Sequence, residues 1–176
     1  MENDLENRLI EAVERSEYDK AKQLLAQGAD PRYKNNRALF DAAILDRIAF
    51  VKLLLAHGAD VKDEWLLPSV SQRGDVEMID LLVKHGADIH ARNDDSLGEA
   101  SKFGNLDVVK YLIQKGANVN ARHDYALRMA ASKGHDEVVH YLLLHGANPA
   151  AKNYEAEKLA YQNGHHKTLG YLLHTR

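Results

Sequence analysis

Glycine recurs along this chain in two periodic series. The first follows a leucine-rich stretch each time, as in LLAHGAD, at spacings of 30, 28, 30 and 30 residues. The second runs at a strict spacing of 30. The two series are Gly28, Gly58, Gly86, Gly116 and Gly146, and Gly74, Gly104, Gly134 and Gly164. They hold nine of the eleven glycines, which indicates an array of one repeated supersecondary unit.

Apolar residues between the glycines lie at helical spacing. Leu127 and Ala130 begin a short apolar stripe ahead of Gly134, and Val138 with Leu142 forms a second stripe after it. The same columns are apolar one unit earlier. The pattern predicts two short amphipathic helices in each unit, each ended by a glycine in the left-handed conformation.

Short polar residues mark where the first helix of a unit starts. Asn36, Asp94 and Asp124 each lie three residues before the first apolar residue of the stripe. Asn and Asp are favoured N-caps because their side-chain oxygens accept hydrogen bonds from free N–H groups of the first turn. We therefore expect these three residues to be N-caps.

The segments YALRMAASKGHDEVVHYLLLHGANP and SLGEASKFGNLDVVKYLIQKGANVNA resemble ankyrin repeats. The alanine pair, the Gly-His or Gly-Asn turn, the Val-Val and Leu-Leu pairs and the Gly-Ala-Asn end carry the resemblance, which extends over residues 5–173. The family unit has about 33 residues and a Thr-Pro-Leu-His start, whereas this unit has 30 and reads Tyr-Ala-Leu-Arg. It is similar to the 30-residue repeats of large DNA viruses and intracellular bacteria. The resemblance implies an all-α ankyrin-repeat solenoid with shortened hairpin loops.

We expect one domain, 1–176, made of about six helix-turn-helix units. The predicted units are 5–35, 36–63, 64–93, 94–123, 124–153 and 154–176, and charged residues in the first and last fit polar caps, so the array is predicted to be complete. The third unit is two residues short, and Asp46 replaces the turn glycine of the second.

The resemblance implies that a partner binds the hairpins and the concave inner surface of the first helices. In those columns the chain carries cations, which we name the basic ridge, although Glu64 interrupts the hairpin column. The ridge residues are Lys34, Arg73, Arg92, Lys102, Arg122, Lys133 and Lys152. Trp65, Phe103 and Tyr125 lie in the same columns and are of the aromatic type common at binding hot spots. A simpler interpretation remains open, in which these side chains are solvated or pack against neighbours without a partner.

The predicted function is protein–protein interaction, as an adaptor or a stoichiometric inhibitor, with another protein that presents an acidic surface. The alternative is a binder of phosphate or nucleic acid that uses the basic ridge. The net charge of −3 and the pI of about 6.4 disfavour nucleic acid. We expect a monomer without enzymatic activity, because no nucleophile and base can be paired in the sequence.

The remaining expectations concern compartment, metals and modification. The chain has no cysteine, its N-terminus carries no signal-peptide pattern, and no apolar stretch could span a membrane, so we expect a cytoplasmic protein. The histidines mostly occupy repeat columns, and we expect no metal and no cofactor. LIQKGANVN resembles the ankyrin motif in which asparaginyl hydroxylases modify the last asparagine, here Asn120.

Overall fold

A computed structural model describes residues 4–174. Within that range the chain forms twelve α-helices and no β-strand. The helices are α1 Asp4–Glu14, α2 Tyr18–Ala26, α3 Tyr33–Ile44, α4 Ile48–Ala56, α5 Leu66–Ser71, α6 Val76–Lys84, α7 Ala91–Lys102, α8 Leu106–Gln114, α9 Ala121–Lys133, α10 Asp136–Leu144, α11 Ala151–Gln162 and α12 His166–His174.

The helices form consecutive pairs, which stack in chain order. Each odd-numbered helix packs against the even-numbered helix that follows it, and odd-numbered helices of neighbouring pairs pack side by side. In such an array each unit contacts only its neighbours along the stack. The prediction of an all-α repeat solenoid is confirmed.

One apolar column fills the space between successive pairs. Leu39, Leu67, Leu97 and Leu127 have at most 1% of their surface exposed. Each fully buried leucine contributes about 1.5–3 kcal/mol to folding. The last pair places Glu157 in this column, so that its apolar content falls at the C-terminal end of the described stack.

The predicted left-handed glycines are confirmed. The glycines that follow the second helices have φ between +92° and +101°. The N–H of the next alanine donates back to a carbonyl five residues earlier, as Ala117 does to Leu112 at 3.0 Å. This bond is the signature of a Schellman motif, which satisfies carbonyls that the end of a helix leaves free.

Most first helices contain a left-handed turn of three residues close to their start, inside the bounds given above. Arg92, Asn93 and Asp94 have φ of 54°, 63° and 59°, and the segments 34–36, 122–124 and 152–154 have the same conformation. In the described segment 59–66, which leads into α5, no residue has a positive φ. The two residues that the third unit lacks therefore remove this turn.

The N-cap prediction for Asn36, Asp94 and Asp124 was wrong. All three lie in the left-handed turns, with positive φ in place of the extended backbone that an N-cap residue adopts. Each side-chain oxygen instead accepts from a backbone N–H 24 residues ahead, in the next hairpin. The acceptor and donor pairs are Asn36 and Asp60 at 2.9 Å, Asp94 and Asn118 at 2.9 Å, and Asp124 and Asn148 at 2.7 Å. These residues therefore tie the hairpin at the start of a unit to the hairpin at its end.

A second set of bonds joins the turns on the opposite edge of the stack. His135 Nε2 donates to the carbonyl of Lys102 at 3.0 Å, and His165 Nε2 donates to that of Ser132 at 3.2 Å. Asn105 makes the same kind of bond to Ser71 at 2.8 Å. Each of these side chains lies over the turn glycine of the preceding unit.

The turn of the third unit breaks this pattern. Its residue at the donor position is Asp75, which caps its own helix by accepting from the N–H groups of Glu77 at 2.8 Å and Met78 at 3.2 Å. Across the junction stands Asp46, with a φ of 58°, in place of a turn glycine. A hydrogen bond shared with Asp75, together with burial, raises the pKa of Asp46. Two carboxyl groups thus meet where the next three junctions have a hydrogen-bond donor over glycine.

Candidate interaction surface

The exposed sides of the first helices, with the left-handed turns near their starts, form the surface that we call the inner face. The structure places four predicted site residues, Lys34, Arg92, Arg122 and Lys152, at the first position of the four left-handed turns, with φ of 47° to 54°. The others lie along the first helices or at their ends, at Trp65, Arg73, Lys102, Phe103, Tyr125 and Lys133. All ten therefore belong to the inner face or its edge.

Three cations of the basic ridge are paired with carboxylates of the chain itself. Nη1 of Arg92 lies 3.5 Å from Oε1 of Glu64, and Nε of Arg92 lies 3.4 Å from Oδ2 of Asp95. Arg122 forms a close salt bridge with the same Asp95. Lys102 lies 3.4 Å from Glu99. Asp95 is only 8% exposed, so its charge is held between two arginines and not by water. Carboxylates of the protein itself therefore neutralise part of the positive charge of the basic ridge.

The other ridge cations are less constrained. Arg73, Lys133 and Lys152 are exposed and make no salt bridge within the described range 4–174. Lys34 donates from Nζ to the amide oxygen of Asn7 at 3.1 Å and meets no carboxylate within 4.0 Å among the described residues. These four side chains leave positive charge available to a ligand.

Arginine stacking holds the aromatic residues of the inner face. The guanidinium carbon of Arg92 lies 3.2 Å from the ring centroid of Trp65, which is still 51% exposed. The guanidinium of Arg122 lies 4.3 Å from the ring of Tyr125. Phe103 is 48% exposed, with the ammonium of Lys102 at 5.3 Å. Such contacts fix aromatic rings at little entropic cost before a partner arrives.

A buried arginine that the sequence prediction missed extends this network. Arg128 is 7% exposed, pairs with Glu155 at 2.9 Å and donates to the carbonyls of His123 at 3.1 Å and Arg122 at 3.2 Å. Its position in the apolar stretch ALRMAA was the available signal. A charge at that place in a helix needs partners from the neighbouring unit.

Asn120 links two successive hairpins. Its side-chain Nδ2 donates to the Asp124 carboxylate at 2.8 Å and to the carbonyl of Gly146 at 2.9 Å. Arg32 makes the corresponding bond to Gly58 at 2.6 Å. The residue predicted as a modification site therefore also has a structural role.

Over residues 4–174 no three His, Cys, Asp or Glu side chains are grouped so that they could hold a metal ion. None of the helices in that range has the length and hydrophobicity needed to cross a bilayer.

The fold and this surface define a class of protein: a stack of short helix pairs joined by hairpins, with an inner face suited to recognition. The model of the family described as ankyrin repeats (3 copies) matches residues 66–123 and 97–176. The chain belongs to the ankyrin repeat family. Its members are generally protein–protein interaction modules and are typically not enzymes. Among curated proteins, none matches the chain.

Proposed function

We propose that this protein binds another protein through its inner face and acts as an adaptor or a stoichiometric inhibitor. One observation carries the proposal: Trp65 and Phe103 expose about half of their surface beside Arg92 and Lys102 on rigid helices. Tryptophan and arginine are enriched among the residues that dominate binding energy, and preorganised rings lose little entropy on binding. In this proposal the protein is a cytoplasmic monomer.

The site comprises the ten predicted residues, and the partner presents an acidic surface. Support for the acidic partner comes from Lys34, Arg73, Lys133 and Lys152, the ridge cations without a salt bridge in the described range. Complementary charge raises the rate of association and excludes like-charged competitors. The internal salt bridges of Arg92, Arg122 and Lys102 disfavour the alternative, a phosphate or nucleic-acid binder, because phosphates would have to displace Asp95 and Glu99.

Site-specific photo-crosslinking tests the proposal. A photoreactive phenylalanine analogue replaces Phe103 on the inner face or, as a matched control, Leu144 at the end of α10, which is 69% exposed. Each protein is irradiated in a lysate of cells from its natural setting. We expect a protein adduct from position 103 and none from position 144.

Three outcomes would count against this function. Adducts that nuclease removes would favour the nucleic-acid alternative. The same adduct from both positions would show that the inner face is not selective. No adduct from position 103 at any lysate concentration would remove the support for a protein partner.

For Asn120 we propose hydroxylation by an asparaginyl hydroxylase, which the family motif implies. Because Nδ2 of Asn120 bridges Asp124 and Gly146, we expect modification while the hairpin is transiently open. After expression in animal cells, the peptide containing Asn120 should gain the mass of one oxygen atom. Only unmodified peptide would contradict the proposal.

A further inference from the structure

An open cavity of about 260 Å³ lies between the second and third units on the inner face. The residues that line it are Lys34, Asn35, Arg37, Phe40, Asp63 and Trp65. Ligand pockets for whole small molecules occupy roughly 300–1,000 Å³. This cavity is smaller and faces solvent, so one side chain of a larger partner suits it better than a free ligand.

The same place between the fourth and fifth units is closed. There Tyr125 stands where the third unit has Trp65, and Gly98 stands where the second unit has Phe40. Tyr125 packs so closely over Gly98 that an added Cβ would lie 2.4 Å from the ring. The gap beside them holds no room for a water-sized group. The cavity therefore occurs where the hairpin before Trp65 is shortened and Phe40 is present. The junction between the fourth and fifth units has neither feature and no cavity of this kind.

The apolar part of the cavity comes from Trp65 and Phe40. Arg92 covers one face of the indole at 3.2 Å, yet 51% of Trp65 remains exposed. An apolar side chain placed against this remaining surface would remove it from water, which favours binding.

The charged part of the cavity is cationic. Both oxygens of Asp63 already accept hydrogen bonds, from Asn35 Nδ2 at 2.9 Å and from the Trp65 N–H at 2.8 Å. Arg37 pairs through Nε with Asp41 at 2.6 Å, but 53% of its side chain is exposed. Lys34 donates to the neutral amide of Asn7 and lies 5.1 Å from the ring centroid of Tyr33, and within residues 4–174 it pairs with no carboxylate. An incoming carboxylate would therefore meet two cationic side chains, Lys34 and Arg37, beside one carboxylate whose oxygens are already hydrogen-bonded.

Two further carboxylates limit where that group can bind. Glu11 and Glu14 line a separate depression on the other side of Lys34 and Arg37. Their negative charge repels an acidic ligand there and confines it to the Trp65 side of Lys34.

We propose that this cavity receives a peptide segment of the partner protein, with an apolar side chain against Trp65 and Phe40 and an adjacent carboxylate at Lys34. The inference rests on the proposed function and names the chemistry of the partner: an acidic segment with one apolar anchor. Recognition of this kind uses a buried anchor for affinity and a charged neighbour for orientation.

Trp65 makes the proposal directly testable, since it is the chain's single tryptophan. A random library of displayed peptides is selected against the full chain, and enriched peptides are titrated while Trp65 emission is recorded. We expect enriched peptides to carry an apolar residue next to Asp or Glu and to shift the emission on binding. Replacing the anchor with alanine, or the acid with its amide, should weaken binding by about tenfold or more, which corresponds to about 1.4 kcal/mol.

Lys34→Glu and Lys22→Glu form a matched pair of variants. Both lysines are exposed, but Lys22 lies on α2, outside the inner face. Lys34→Glu should weaken the binding of the enriched acidic peptides by about tenfold or more, while Lys22→Glu should leave their affinity within about twofold.

The inference is overturned if no such peptides are enriched, if bound peptides leave Trp65 emission unchanged, or if both lysine variants lose binding equally. Inorganic phosphate that displaces the peptides at constant ionic strength would assign Lys34 to phosphate and also overturn it. A protein adduct at position 103 together with failure here would remove this inference alone. Failure of the crosslink would remove the proposed function instead.

Discussion

The carboxylate of Asp124, at the start of the fifth unit, accepts a hydrogen bond at 2.7 Å from the backbone N–H of Asn148, in the hairpin that leads into the sixth unit. Asp124 is 4% exposed and also accepts from Asn120 Nδ2 at 2.8 Å. Asp124 thus connects the hairpin that contains Asn120 to the hairpin that contains Asn148. The bond belongs to a series, and its removal tests whether the series stabilises the stack.

Asp124→Ala should lower the free energy of unfolding by about 1–3 kcal/mol, because the Asn148 N–H loses its acceptor. Asp124→Asn keeps an acceptor and a residue that tolerates the left-handed conformation, so it should be much milder. Urea denaturation followed by circular dichroism measures both. Asp107→Ala is the control, since that carboxylate is 83% exposed. Equal losses for the alanine and asparagine variants at position 124 would contradict the assigned role.

Gly134→Ala and Gly164→Ala separate two effects at the turn glycines. Their φ values, 72° and 75°, are nearly the same, so each alanine adds about 1–2 kcal/mol of left-handed strain. At Gly134 a Cβ would also lie 2.5 Å from Nδ1 of His165, whereas nothing lies within 4 Å at Gly164. Overpacking should cost Gly134→Ala about 1–3 kcal/mol more.

Thermal unfolding of the two glycine variants gives the difference. Adding His165→Ala to Gly134→Ala should recover part of the loss by removing the clash. If the two single variants unfold at the same temperature, the histidine does not constrain the turn.

Asp46→Asn should stabilise the protein at neutral pH. The hydrogen bond with Asp75 and burial raise the pKa of Asp46, so the folded state holds its proton more tightly than the unfolded chain does. That contribution is present below the ordinary aspartate pKa and is lost as pH rises through the raised value, where both carboxylates are charged. The gain from Asn should be about 0.2–1 kcal/mol, as for other exposed charge pairs.

Unfolding midpoints of wild type and Asp46→Asn, measured from neutral pH down to about pH 3, check this prediction. The difference between the two proteins should shrink as the solution becomes more acidic. Asp19→Asn, at another exposed aspartate, should give no gain at neutral pH. A gain for Asp46→Asn that does not vary with pH would rule out the carboxyl pair as its cause.

Reversing charge along the basic ridge should have two different effects on stability. Arg122→Glu would place a second carboxylate beside Asp95 and remove the stacking on Tyr125, at a cost of about 1–3 kcal/mol. Lys133→Glu changes an exposed side chain without a salt bridge in the described range, so it should stay within about 0.5 kcal/mol. Urea midpoints compare them. A small effect of Arg122→Glu would mean that the close salt bridge contributes little in solution.

The fold could be predicted from the sequence because its main signals repeat. Gly104 and Gly134 recur with the spacing of the unit, and Leu97 and Leu127 mark the apolar columns between them. Local patterns failed at Asp94 and Asp124. Their partners are backbone groups 24 residues ahead, which no rule about a single helix start contains.

The placement of the basic ridge followed from repeat columns, but its pairing did not. Asp95 stands in the column that holds Trp65 and Tyr125 in neighbouring units, so its contact with Arg92 and Arg122 depends on a change of residue type from unit to unit. The sequence did not predict the cavity beside Trp65 either, since it combines a shortened hairpin with Phe40 at the position that Gly98 occupies in the fourth unit. Such features arise where one unit differs from its neighbours, so a pattern that repeats along the chain does not predict them.

The shortened hairpin of the third unit has a consequence for how a ligand could be positioned along the stack. An array of identical steps offers the same contacts at every step, so a ligand could bind in several registers that differ by one unit. The missing left-handed turn ahead of Trp65 removes that equivalence, because the step it alters has its own shape and charge. The irregular third unit therefore gives an otherwise repeating surface one distinct step, at which a ligand can bind in a single register.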